Sequence, residues 1–281
     1  MKPQRTEKIG KAAAAVVTAL VVIPIVLVIL FIVVNGIQAI SWEFLSQPPR
    51  NGMTEGGIWP AILGTFLLTI GAAIAVLPLG IGAAIYLAEY AGDNWLTRTI
   101  HSAIINLAGI PSIVYGLFGL GAFVLFFNMG TSILAGALTL ALMTLPIVIS
   151  TAEEAILAVP QEFRTVSLSL GATHWQTVRY QVLPNALPGI ITGVILGLAR
   201  AAGETAPILF TVAAFYLPQL PKSVFDQTMA LPYHLFVIST QVPGMPFEIQ
   251  YGTALVLLII VLFFVIIAAV MRSIMRRKRE W

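Results

Sequence analysis

Cysteine is absent from all 281 residues. That excludes a disulfide framework, a thiolate metal site and a cysteine nucleophile. Charge is scarce too. Asp, Glu, Lys and Arg make up 10% of the chain, against about 25% in an ordinary soluble domain. The three histidines, His101, His174 and His234, are scattered and have no metal-ligand spacing. No Gly-x-x-x-x-Gly-Lys-Ser/Thr loop occurs, so the chain does not bind nucleotide in the Walker manner. No His-Glu-x-x-His motif and no nucleic-acid motif is present. Glu153 and Glu154 are adjacent, which is poor geometry for paired acid–base work, and read as a solvated helix end.

What the chain does have is apolar sequence, at 58% hydrophobic residues. Crossing a hydrocarbon core takes about 20 residues of helix. Six stretches qualify, roughly 12–34, 61–88, 102–127, 131–152, 188–213 and 252–271. The first is too long for a signal-peptide core and belongs to the mature protein. The second is overlong and should tilt or protrude, with Pro78 as a point of kinking.

The cations fix an orientation. Lys2, Arg5, Lys8 and Lys11 precede the first span, and Arg272, Arg276, Arg277, Lys278 and Arg279 follow the last. Arg98, Arg164 and Arg179 fall on the same side. Only Arg50 and Lys222 fall opposite, and Arg200 lies within a span. This asymmetry predicts cytoplasmic termini and a cytoplasmic polar island at 153–187. The 35–57 and 214–251 segments then face outward. The second of these is rich in Pro, Tyr and Phe. It either dips into the membrane and caps it, or forms an ordered outer loop.

The island has a shape. Pro160 can open a short helix as its first residue, and Glu162 suits the first turn. Phe163, Val166, Ser167 and Leu170 share a face at helical spacing. Gly171 stands where a left-handed C-terminal cap is wanted. Thr173 and Gln176 make a capping-box pair for a second helix, which Pro184 should end. Such a knuckle is either an amphipathic element on the bilayer or a docking element for a soluble partner.

Two further stretches carry chemistry. Arg200 and Glu204 sit four apart in the fifth span, within Ala-Arg-Ala-Ala-Gly-Glu-Thr-Ala-Pro. An arginine at the centre of a membrane helix costs about 2.5–3.5 kcal/mol. A packing ion pair and an anion path both explain its presence. The path is favoured because charges inside a membrane usually mark one, and a planar guanidinium matches an oxyanion. In the third span, Pro111 frees a backbone carbonyl, beside the hydroxyls of Ser112 and Tyr115. Those two are path residues or simply part of a kinked, packed helix. Thr65 and Thr69 are expected to bond their own backbone.

These residues resemble a known family. Thr165-Val166-Ser167-Leu168-Ser169-Leu170-Gly171, then nine residues and Gln181-Val182-Leu183-Pro184, is similar to the "EAA" loop of ABC-importer permeases. Gly171, Leu183 and Pro184 keep its register, while Thr165, Val166 and Ser167 replace Glu-Ala-Ala. The stretches Gly57–Thr65, Pro78–Ile81 with Tyr86–Tyr90, Gly109–Gly116 and Ala199–Pro207 look like the phosphate-specific permeases, and Gly203–Pro207 like their A-type subunit.

The resemblance implies an all-α integral membrane protein of six transmembrane helices with the type I (MetI-like) permease fold. Residues 1–57 would form the first helix and an outer loop, 58–275 the permease domain, and 276–281 a basic cytoplasmic tail. It implies a non-catalytic subunit of a bacterial inner-membrane importer, with no cofactor of its own. The partners would be a C-type permease, two cytoplasmic ATPases holding ATP and Mg, and a periplasmic binding protein delivering inorganic phosphate. Arg200, Glu204, Thr205, Ser112 and Tyr115 would line the path. Phe163, Arg164, Thr165, Ser167, Leu170, Gly171, Ala172 and Thr173 would couple to the ATPase. A sulfate or molybdate permease would share the knuckle. A stand-alone secondary transporter often shows an inverted repeat, and none is visible.

Overall fold

A computed structural model describes residues 3–277. The last four residues of the basic tail expected at 276–281 lie outside the described residues.

Among the described residues twelve α-helices follow in order, with one small hairpin. They are α1 Pro3–Gly36, α2 Trp42–Ser46, α3 Trp59–Ile85, α4 Trp95–Ala108, α5 Ser112–Gly119 and α6 Ile133–Leu157. Then come α7 Gln161–Ser169, α8 His174–Thr177, α9 Leu183–Gly203, α10 Ala206–Leu209, α11 Leu231–Thr240 and α12 Phe247–Arg277. Strands β1 Pro49–Arg50 and β2 Glu55–Gly56 pair antiparallel between α2 and α3. Wider turns with i→i+5 bonding extend α3 to Tyr90 and α5 to Phe126, and fuse α8 to α9 across Val178–Val182.

Local chemistry sets the helix starts. Ser41, Asn94 and Ser132 each accept a hydrogen bond from the backbone N–H three residues on, at 3.1, 3.0 and 3.2 Å. Each thereby satisfies one of the four N–H groups a helix leaves free. The centre of the bundle is α3 against α6. Helix α9 packs on α6, α12 on α9, and α1 chiefly on α12. Close approach needs small residues in a membrane bundle. A Cβ on Gly64 would collide with the Met229 carbonyl, and one on Gly193 with Thr151.

Among the described residues, five helical stretches are long and apolar enough to cross a membrane: Gly10–Ala39, Trp59–Tyr90, Ile133–Leu157, His174–Gly203 and Phe247–Met275. The sixth crossing differs from expectation. The stretch 102–127 is not one helix. Helices α4 and α5 meet at a bend of 101° across Gly109, Ile110 and Pro111. Pro111 supplies no N–H and disfavours helical backbone before it, so the helix stops rather than kinks. Helix α4 lies at the end of the bundle near Glu153, whose carboxylate is 3.4 Å from His101 Nε2. Glu153 is therefore packed and paired, at 12% side-chain exposure, rather than a solvated helix end.

The fifth span is also corrected. Its helix starts near His174 and ends at Gly203, rather than covering 188–213. Pro184 does not end the second knuckle helix. Proline crowds the carbonyl four residues back, and the wide turn at Val178–Val182 accommodates it, with Leu183 N–H bonding Val178 O. Pro160 is the residue before α7 rather than its first.

The end away from the knuckle is tied together. The N–H groups of Ser132, Ile133 and Leu134 donate to the carbonyls of Thr211, Asp226 and Val224, each at 2.9 Å. Gln227 bonds Thr131, and Tyr216 Oη donates to Pro49 O at 3.3 Å. The 214–251 segment then re-enters the bundle. Helix α11 buries Leu231, Tyr233, His234 and Val237 against α3, α9 and α12.

Candidate functional site

Two regions carry the residues singled out above. The first is the break after α9. Glu204 follows the last helical residue with extended backbone (φ −79°, ψ 135°), and its N–H donates to Ala201 O at 3.3 Å. Arg200 sits in the last turn, where a cation opposes the negative pole of the helix. Its Nε donates to Glu204 Oε1 at 3.2 Å. The expected pair forms, but at the mouth of a broken helix and not along an intact one. Arg200 is 51% exposed and Glu204 19%. The terminal nitrogens of Arg200 have no hydrogen-bond partner among the described residues.

Depth follows from neighbours. Glu204 shares a narrow cavity with Thr65, Thr69, Leu140 and Pro232. Thr65 and Leu140 lie six and seven residues inside the starts of α3 and α6, or about 9–10 Å at 1.5 Å per residue. Thr205 precedes α10 and accepts the Leu209 N–H at 3.2 Å through its carbonyl. Helix α10 packs on α5, where a Cβ on Gly116 would lie 2.8 Å from the Ala206 carbonyl. Tyr115, next to Gly116 in α5, is buried. Its hydroxyl donates to Leu107 O at 2.8 Å. Ser112 opens α5, one turn nearer the bend than Gly116.

The second region is the knuckle. Gly171 has φ +85° and links the two limbs, with Ala172 N–H donating to Ser167 O at 3.2 Å. The Thr173–Gln176 capping box is complete, at 3.2 and 2.8 Å. Ser167 and Thr177 share a hydroxyl hydrogen bond of 2.9 Å across the limbs. Along α7 opens a groove of about 390 Å³, lined by Glu162, Phe163, Val166, Ser167, Leu170, Ala172 and, from the turn before α9, Gln181. Leu170 at its rim is 83% exposed. Arg164 and Thr165 do not line this groove. Thr165 bonds Gln161 O at 3.2 Å, and Arg164 points the other way, into the protein.

Residues 77–280 match the family described as binding-protein-dependent transport system inner membrane component. The chain belongs to that family. The permease is 32% identical over 272 residues to the probable ABC transporter permease protein YqgI of Bacillus subtilis (strain 168), covering 92% of each. It is 34% identical over 262 residues to the phosphate transport system permease protein PstA 1 of Mycobacterium tuberculosis H37Rv, covering 92% of this chain and 84% of that one. The probable phosphate transport system permease protein PstA of Methanocaldococcus jannaschii is 34% identical over 253 residues, covering 90% and 88%. Among solved structures, an inward-facing methionine ABC transporter, MetNI, superimposes with a TM-score of 0.60 at 19% identity. The match covers 78% of the permease and 94% of that chain. The shared fold is that of the MetI-like importer permeases.

Sequence reasoning missed three contacts in this permease. They are Glu89 with Arg164, His174 with Tyr90, and Thr65 Oγ1 accepting the Leu231 N–H at 2.8 Å. Only the first left a signal. Glu89 ends a span with no cation beside it in sequence.

Proposed function

We propose that this chain is half of the translocation path of an ATP-driven phosphate importer, with the knuckle facing the cytoplasm. The observation that carries the reading is the half-free guanidinium of Arg200, held by Glu204 at a helix break about 9–10 Å inside the bundle. Such a fork suits a tetrahedral oxyanion. The names of the relatives support phosphate as that anion. Arg200 meets the anion, while Glu204 neutralises the guanidinium between passages so that phosphate can leave.

The exposed groove along α7 receives a cytoplasmic ATPase subunit that holds ATP and Mg. A second, homologous permease completes the path, and a periplasmic binding protein delivers phosphate to the end where 211–228 ties onto α6. The excess of cations on the knuckle side supports this orientation in a bacterial inner membrane.

Reconstitution tests the reading. In vesicles holding the permease pair and the ATPase, labelled phosphate should enter only with ATP and the binding protein, and sulfate should not compete. Uptake driven by an ion gradient without the ATPase would overturn it. Competition by sulfate would reassign the anion.

A further inference from the structure

Helix α7 buries none of its residues. Its apolar hold on the core is the partly buried Phe163, and a helix pressed by a partner on one face must bear on something more behind it. What stands behind it is Arg164. Its guanidinium donates to the Glu89 carboxylate, from Nη2 at 2.6 Å and from Nε at 3.0 Å. It also donates to the carbonyls of Val159 at 2.7 Å and Ile156 at 3.0 Å. Ile156 is in the last turn of α6, where its carbonyl also accepts the Val159 N–H at 3.2 Å, and Val159 lies just beyond the end of that helix. The two charged side chains are 11% and 4% exposed.

Glu89 lies in the wide i→i+5 turn that ends α3, closed by Ala91 N–H to Tyr86 O at 2.8 Å. Such turns shift the face on which following residues emerge, and they recur at functional sites. The other limb of the knuckle reaches the same turn. His174 stands edge-on to Tyr90 at 4.8 Å between ring centroids, with Nε2 4.0 Å from Glu89 Oε2. Helix α3 then runs 32 residues without a break from Tyr90 to Trp59, about 48 Å at 1.5 Å per residue. Near its far end, Thr65 and Thr69 border the Glu204 cavity, and Thr65 holds the first N–H of α11.

We propose that the Glu89–Arg164 ion pair is the joint through which the knuckle drives α3, and α3 the rod that carries the movement to the Arg200–Glu204 break. Arg164 and Glu89 are positioning residues, set behind the docking groove and far from the anion. The inference rests on the importer reading above.

Its test separates hydrolysis from uptake in the reconstituted complex. Glu89→Gln keeps the shape of the side chain and removes its charge, and Arg164→Gln removes the fork. Both should retain the ATPase and hydrolyse ATP, while phosphate taken up per ATP falls by about tenfold. The double variant should be no worse than either single, because both break one joint. Arg164→Lys keeps a charge for Glu89 but cannot hold both carbonyls as well. It should therefore give an intermediate ratio, and it serves if the glutamines fail to assemble. An unchanged uptake-to-ATP ratio in Arg164→Lys and in the assembled glutamine variants would overturn the joint. So would hydrolysis and uptake falling in proportion, since that marks a purely structural contact. A wild-type complex without ATP-dependent uptake would instead overturn the importer reading itself.

Discussion

The Tyr115 hydroxyl donates to the carbonyl of Leu107, four residues before Pro111. In an unbroken helix that carbonyl would receive the N–H of residue 111, which proline lacks. The Ile110 N–H reaches that carbonyl at 3.1 Å, and the phenol adds a second donor from the far side of the bend, and so fixes how α5 leaves α4. Tyr115→Phe should lower stability by about 1 kcal/mol, read as a lower melting temperature in detergent. Uptake per assembled complex should persist. Loss of uptake without loss of stability would return the hydroxyl to the anion path.

Gly171 has φ +85°, and a Cβ there would meet nothing within 4 Å. The penalty for a side chain is therefore in the backbone alone, about 1–2 kcal/mol for left-handed geometry. Gly171→Val should distort the knuckle and abolish coupled uptake with the spans still inserted. Gly171→Asn, which tolerates that geometry, should retain most of it. Equal behaviour of the two in an uptake assay would show that the turn's conformation is irrelevant.

Arg200→Ala should abolish phosphate uptake while the complex still assembles. Arg200→Lys should recover little, because an ammonium lacks the planar fork. Glu204→Gln should slow turnover more than entry, since nothing then competes with the anion for the guanidinium. The double change Arg200→Ala with Glu204→Ala decides the roles. A stable, transporting double variant would mean the pair serves packing only.

His234 is buried on α11, and burial in apolar surroundings pushes its pKa from 6.5 down to about 4. The folded chain therefore binds its proton less readily than the unfolded chain. Stability from the neutral ring is fully present above pH 6.5 and is lost as pH falls toward about 4. Thermal melts between those limits should show wild type losing more than His234→Leu. Parallel curves would remove His234 from the pH response.

Absence of cysteine makes topology directly testable. Single cysteines at Arg50 or Lys222 should react with an impermeant thiol reagent from outside intact cells, and one at the exposed Leu170 should not. The reverse pattern would invert the chain and remove the knuckle from the ATPase side.

Local signals carried much of this architecture. The capping box at Thr173–Gln176, the left-handed Gly171 and the backbone-bonded Thr65 and Thr69 were all readable, because each depends on neighbours within four residues. The end of α9 at Gly203 was not. Its surroundings are apolar on both sides of the break, so hydropathy ran straight through it. Pro184 misled for the opposite reason, since its helix-breaking effect is absorbed by a turn that leaves no composition signal. Glu89 and Arg164 are 75 residues apart, and only the tertiary fold brings a lone carboxylate at one helix end to a lone guanidinium in another.

Helix α1 has an order of events built into it. In its most apolar window, 0% is buried inside the chain. Its main packing partner is α12, through contacts such as Phe31 edge-on to Tyr251 at 5.4 Å. Some 210 residues of chain separate the end of α1 from the start of α12, which at 5–20 residues per second is on the order of 10–40 s of synthesis. For that interval α1 stands alone in lipid with its whole circumference open. Any neighbour that packs on it can do so before the permease itself is complete, so recruitment of a second subunit need not wait for the end of translation.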